Sequence, residues 1–317
     1  MKLLITRRLP DPVLDALPPE FDVTLRDDTR PLSRDEIHAA LRDYDCVLPT
    51  LGDAFDAAAF AAVKAPRAKL LANFGVGYNH IDVAAAKAAG IAVTNTPGAV
   101  TDATADIAMT LMLMSARRAA EGDRLVRAGR WRGWYPTEML GLHVTGKTLG
   151  VVGMGRIGQA IARRAHHGFG MGVVFFNRSQ VTDPGVPARQ LATLAEVMAA
   201  ADVVVIAVPG GAGTRHLIDA AALLAMKPTA HLVNISRGDV IDEQALIAAL
   251  QSGKIAGAGL DVYEHEPDVP QALRDLDCVT LLPHLGTAAL EVRTAMGMLA
   301  VENLKAFVRG APLPTPV

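Results

Sequence analysis

Residues 149–158 read LGVVGMGRIG and run on into QAIARRAHH. An apolar run of strand length enters Gly153-x-Gly155-x-x-Gly158 and leaves in a helical pattern. Strand, glycine turn and helix in that order form the opening unit of a doubly wound parallel sheet, with a cradle for a pyrophosphate. Gly153 permits the tight turn, Gly155 lets the backbone approach a phosphate, and Gly158 lets helix and strand pack closely. The free N–H groups of the first helical turn, around Arg156 and Ile157, then face the phosphate charge.

Around this unit the chain alternates apolar strands with helical patterns. Strands are predicted at 2–6, 22–25, 46–49, 70–74 and 92–94, with helices such as 34–42 and 83–89 between them. Short connections between such elements imply a parallel sheet covered by helices. A second series begins at Lys147, with six strands predicted at 148–152, 173–176, 203–207, 231–235, 257–260 and 279–282. Six parallel strands with crossover helices make a complete dinucleotide-binding domain. Between the two series, Thr101 or Asp102 can cap a long helix whose middle is apolar nearly all round, so it is buried between layers or at a subunit interface. A last helix, 288–308, leaves no sequence for a further domain and is expected to pack back on the first one. The expected fold is therefore α/β, with two Rossmann-like domains. Residues 1–98 and 287–317 form a discontinuous substrate domain, and 99–286 form the inserted dinucleotide-binding domain.

With 317 residues there is enough chain for two cores. Half the residues are hydrophobic, a fifth are charged, and the net charge is -2. No basic stripe marks a nucleic-acid partner, and no apolar run reaches membrane-spanning length. The N-terminal apolar run is too short for a signal peptide, so a cytoplasmic protein is expected. Cys46 and Cys278 read as buried thiols at strand starts, not as a metal site or disulfide framework.

After the second strand of the nucleotide domain comes Asn177-Arg178-Ser179, where an NAD site usually carries Asp or Glu for the ribose 2′-OH. A guanidinium and a hydroxyl suit a 2′-phosphate, which a carboxylate would repel. NADP(H) is expected over NAD(H), with NAD(H) still possible. Three later segments each follow an apolar strand: 234–239 (NISRGD), 259–267 (GLDVYEHEP) and 282–287 (LPHLGT). They fall at the carboxyl end of the sheet, where open α/β sheets bind ligands, and Arg237, a carboxylate and His284 can converge there.

These segments, with NFGVGYNHID, TDATADIA and the GMGRIG loop, resemble the D-2-hydroxyacid dehydrogenase family over nearly the whole chain. Within it the chain looks most like glyoxylate/hydroxypyruvate reductases. The resemblance implies NADPH-dependent reduction of small 2-keto acids to D-2-hydroxy acids by a homodimer, with Arg237, Glu266 and His284 as the catalytic residues. His284 would give a proton to the substrate oxygen, Glu266 would orient the ring and favour its charged form, and Arg237 would bind the carboxylate and polarise the keto oxygen. The backbone N–H groups of Val76 and Gly77 would bind the carboxylate as well. Thr104, Val208, Pro209, Thr214, Ile235, Ser236, Asp261, Gly286 and Thr287 match positions around the cofactor. Trp134 is the candidate for narrowing the partner subunit's pocket. His80 is expected to be structural, with support of the nearby carboxylate-binding loop as the alternative, and His265 to lie at the surface. Gly210, Gly211 and Gly213 stand where many relatives have a Leu-Thr-Pro-type loop, and they either give the 2′-phosphate room or simply leave the loop flexible. Another D-2-hydroxyacid dehydrogenase, such as phosphoglycerate dehydrogenase, and a non-catalytic nucleotide-sensing protein on the same fold are the alternatives.

Overall fold

The computed structural model describes residues Met1–Val317. They form two compact units, one of Met1–Val100 with Ala288–Val317 and one of Thr101–Thr287.

The first unit holds β1 (Lys2–Ile5), β2 (Asp22–Leu25), β3 (Cys46–Leu48), β4 (Leu70–Ala72) and β5 (Ala92–Thr94). All pair in parallel, in the order β2-β1-β3-β4-β5. Strand periodicity sends alternate residues to opposite faces. Leu4, Val47 and Leu71 join Ile37, Leu41 and Phe60 on one face, while Leu3, Ile5, Leu48 and Leu70 join Val13 and Leu304 on the other. The final helix, Leu290–Val308, supplies Leu304. Its Gly297 lies so close to Val13 that an added Cβ would sit 2.4 Å from a Val13 methyl. Burial pushes the Cys46 thiol up to about 12, so it is inert at neutral pH. The sheet order is that of flavodoxin-like folds, not of the six-stranded nucleotide fold.

The second unit holds β6 (Thr148–Val152), β7 (Gly172–Phe176), β8 (Ala188–Gln190), β9 (Val203–Ile206), β10 (His231–Asn234), β11 (Gly257–Leu260) and β12 (Val279–Leu281). All pair in parallel, in the order β12-β11-β10-β9-β6-β7-β8. Its sheet has seven strands, not the six predicted. β8 escapes the sequence pattern because its residues, Ala-Arg-Gln, are half-buried or exposed and carry no apolar alternation. The strand order reverses between β6 and β9, which is the point where open sheets bind ligands.

The helix of Thr101–Ala116 packs on β10, β11 and the helix of Arg156–Phe169. Leu111 presses on Gly259, where an added Cβ would come within 2.9 Å. The helix is not apolar all round. Asp102 and Asp106 face outward and both pair with Arg164. It ends at Ala116, and Arg118, at φ 54°, turns the chain into the short helix Ala119–Arg127. Cys278 is half-buried and precedes β12, so only Cys46 starts a strand inside the core. No helix is long and apolar enough to cross a membrane.

Candidate active site

Arg237, Glu266 and His284 leave three neighbouring strand ends of the second unit, those of β10, β11 and β12. The Arg237 turn is built by Asn234. Its side chain accepts from Ser236 N at 3.0 Å and donates to Arg237 O at 2.9 Å. The next residue has to be glycine. A Cβ on Gly238 would fall 1.8 Å from the carbonyl carbon of Tyr263, so this turn lies directly on the backbone that leads to Glu266. Burial pulls the Arg237 guanidinium below its ordinary value, opposed by the charges of Glu266 and Asp239. It starts from a value so high that it stays charged.

His284 Nδ1 meets Glu266 Oε2 at 2.8 Å, leaving Nε2 as the nitrogen for a substrate. On Glu266, burial favours the neutral form, but it is outweighed by the hydrogen bond and charge of His284, by Tyr263 N and by Arg237. The carboxyl therefore lies below its usual range. His284 itself sits in the left-handed region, at φ 55°, which costs a non-glycine residue roughly 1 kcal/mol or more. Asp261 holds it there. His284 N donates to Asp261 O at 2.9 Å, and the Asp261 carboxylate takes Leu285 N at 2.6 Å and Gly286 N at 2.8 Å. Burial raises the Asp261 pKa against the pull of those amides and of His284. Thr104 Oγ1 donates to Gly286 O at 3.1 Å, so the first turn of its helix braces the same loop.

The glycine turn fits a pyrophosphate. Gly153 has φ 99°, and a Cβ there would be 2.8 Å from Ala207 O. A Cβ on Gly158 would be 2.1 Å from Gly153 O, whereas above Gly155 nothing lies within 4 Å. Two glycines thus close the turn and the middle one leaves it open. The amides of Arg156, Ile157 and Gly158, in the first turn of the helix Arg156–Phe169, lack intrahelical acceptors. Beside this turn, Asn177 Oδ1 accepts from Met154 N at 3.2 Å. Arg178 and Ser179 are exposed, and the Arg178 guanidinium makes no hydrogen bond or ion pair. On the other side of the switch point, Ser236 Oγ donates to Val208 O. Thr214 Oγ1 donates to Pro209 O at 2.7 Å. Ile235 is buried, and Thr287 is half-buried at the end of the unit.

A family model for the NAD-binding domain of D-isomer specific 2-hydroxyacid dehydrogenases matches residues 109–286. A glyoxylate reductase of Pyrococcus furiosus is 44% identical over 99% of this chain and 94% of its own length. A glyoxylate reductase of Thermococcus onnurineus is also 44% identical, over 99% and 95%. The chain belongs to the D-isomer-specific 2-hydroxyacid dehydrogenase family. Among solved structures, the TT0316 protein of Thermus thermophilus is 40% identical, with a TM-score of 0.92 and full coverage of both chains. An NADPH-dependent glyoxylate/hydroxypyruvate reductase of Sinorhizobium meliloti is 37% identical, with a TM-score of 0.86 over 100% of this chain and 97% of that one. This dehydrogenase is thus a nicotinamide-dependent oxidoreductase of 2-hydroxy and 2-keto acids.

The other expected residues are placed as follows in the dehydrogenase. Val76 and Gly77 lie in the loop after β4 of the first unit. Asn73 Nδ2 donates to Gly75 O at 3.1 Å and Gly77 O at 3.0 Å, and Asn95 Nδ2 donates to Val76 O at 2.9 Å. Two asparagines thus tie back three carbonyls of this loop. His80 Nε2 meets Asn73 Oδ1 at 3.0 Å, so it backs the side chain that ties down this loop. Trp134 is 80% exposed. His265 is exposed. Gly210 does something the sequence does not reveal. A Cβ there would be 2.7 Å from Cγ of Arg237, so the loop's first glycine accommodates the arginine stem. Asn234, Asn73, Asn95 and Gly238 are functional supports that motif reading passes over. The only sequence signal for them is an amide or glycine beside each reactive residue.

Proposed function

We propose that this dehydrogenase reduces short 2-keto acids, glyoxylate and hydroxypyruvate among them, to D-2-hydroxy acids, with NADPH preferred over NADH. When bound, the nicotinamide cofactor supplies the hydride. The chain's own residues do the rest. Arg237 pairs with the substrate carboxylate and polarises the keto oxygen. His284 delivers a proton from Nε2 to that oxygen, and Glu266 keeps the ring turned so that Nε2 is the nitrogen presented. Val76 and Gly77 keep their expected role as carboxylate-binding amides. Thr104, Asp261, Ser236, Gly286 and Thr287 shape the nicotinamide side.

The observation that carries the reading is the 2.8 Å contact between His284 Nδ1 and Glu266 Oε2, with Arg237 charged beside them. The NADPH preference rests on the unpaired Arg178 guanidinium and the Ser179 hydroxyl after β7, with no carboxylate on 177–179. The names of the glyoxylate reductase relatives support the short substrates. The reading also includes a cytoplasmic homodimer. The exposed Val126, Trp131, Trp134, Tyr135 and Leu140 support a partner surface. The test is steady-state turnover of glyoxylate and hydroxypyruvate with each cofactor. A clear NADH preference refutes the cofactor assignment, and no turnover of either acid refutes the substrate assignment.

A further inference from the structure

β8 ends in Gln190, a half-buried amide on the edge strand of the nucleotide sheet. Its side chain spends every polar atom on one short loop. Oε1 accepts from Val181 N at 3.0 Å. Nε2 donates to Asn177 O at 3.3 Å and to Ser179 O at 3.0 Å. From the opposite side, Asn177 Nδ2 donates to the same Ser179 O at 2.9 Å and to Ser179 Oγ at 3.2 Å. Its Oδ1 ties the loop to Met154 N in the glycine turn. Residues 177–180 offer no apolar anchor, since Asn177 is half-buried and Arg178, Ser179 and Gln180 are exposed; only Val181, at the loop's end, packs on the core.

We infer that Gln190 is a positioning residue for cofactor choice, holding Arg178 and Ser179 where they meet the 2′-phosphate of NADPH. The inference rests on the NADPH reading above. Two amides, one on each side, fix the backbone of 177–181. Both draw on carbonyls and a hydroxyl lone pair, so the Arg178 guanidinium and the Ser179 hydroxyl proton stay free to donate to an anion. A loop held in its bound shape loses less conformational freedom on binding, so the charge pair converts more fully into affinity. The residue type matters as well. Glutamate could still accept from Val181 N. It could not donate to the two carbonyls, and it would add a negative charge beside the 2′-phosphate.

The test uses the full-length protein with Gln190→Met, which keeps the side chain's length but removes its hydrogen bonds. Gln190→Glu and Arg178→Ala accompany it. Affinities for adenosine 2′,5′-bisphosphate and for 5′-AMP are measured by calorimetry, beside KM for NADPH and NADH. Gln190→Met should weaken the bisphosphate about tenfold, leave 5′-AMP within about twofold, and raise KM for NADPH but not for NADH. Gln190→Glu should weaken the bisphosphate further. Equal weakening of both nucleotides, or none, overturns the inference, the first because it marks a merely structural residue. Arg178→Ala separates the two claims. If it abolishes the preference for the 2′-phosphate while Gln190→Met does not, only the role of Gln190 falls. If Arg178→Ala leaves that preference unchanged, the NADPH reading falls and the inference with it. If Gln190→Met does not fold, the neutral Gln190→Leu decides by the same ratio.

Discussion

At the scale of single residues the account turns on Glu266 and on the strained His284. Glu266 lies below its ordinary carboxylate range, so it remains an anion across neutral pH and holds its partner ring through a charge-assisted contact. Glu266→Gln should keep the fold and lose about 10- to 100-fold in kcat, since removal of an orienting partner costs part of a general-acid effect of roughly 10²–10⁴. His284→Ala should lose the whole of that effect, with cofactor affinity retained. Comparable kcat in the two variants and the parent would contradict the assignment. Gly238 gives a steric version of the test. Gly238→Ala places a Cβ against the Tyr263 backbone, so the Arg237 turn must move. Activity should collapse in soluble protein, with loss in kcat/KM for the keto acid exceeding any loss in cofactor binding. Arg237 and His284 could be read from sequence because each combines a distinctive side chain with a strand end, whereas Glu266 was singled out among the carboxylates of 259–267 by the family resemblance. Asn234 and Asn73 act by hydrogen bonds to backbone, and an amide near a turn carries no such mark in a sequence.

Secondary-structure elements were most readable where burial makes a strand uniformly apolar, as in the VVVI of β9, and where glycines punctuate, as after β6. β8 was invisible because an edge strand of mixed polarity obeys neither pattern. The end of the helix Thr101–Ala116 carries no sequence signal either. It is set by the left-handed Arg118, which has no glycine or proline to announce it. Two stability predictions belong here. His231, in β10, is buried against Ser115 Oγ at 2.8 Å, and burial lowers its pKa to about 4. The folded chain resists protonation that the unfolded chain accepts near 6.5, so stability present above that pH is lost as pH falls toward 4. The loss is on the order of 2 kcal/mol at pH 5. His231→Gln should flatten the fall in melting temperature between pH 7 and 5, and an unchanged slope would contradict this. Asp53 is fully buried in the loop after β3, taking Leu32 N, Thr50 N, Thr6 Oγ1 and the Arg7 guanidinium. Asp53→Ala leaves Arg7 without its partner and should cost about 3–5 kcal/mol in denaturant unfolding.

For the whole molecule, the two parallel α/β units and the return of the last helix to the first unit follow from counting strands and from the glycine turn, because few topologies satisfy both. The sheet order of each unit was less accessible, since pairing between distant segments depends on packing that a local pattern does not encode. Trp134 belongs to this scale. It is exposed in one chain, in a stretch with the exposed Trp131 and Tyr135, so its proposed effect on substrate size requires a second copy. Trp134→Ala should weaken the preference for glyoxylate over a bulky aryl keto acid while leaving cofactor choice alone. An unchanged preference would remove tryptophan from the specificity account. The most direct test of the central claim is NADPH and NADH oxidation with glyoxylate and hydroxypyruvate, run beside His284→Ala. The account predicts rapid NADPH-linked turnover of both acids, at least about tenfold more efficient than with NADH and lost in the variant. Tight NADPH binding with no turnover, or turnover that survives the loss of His284, would contradict it.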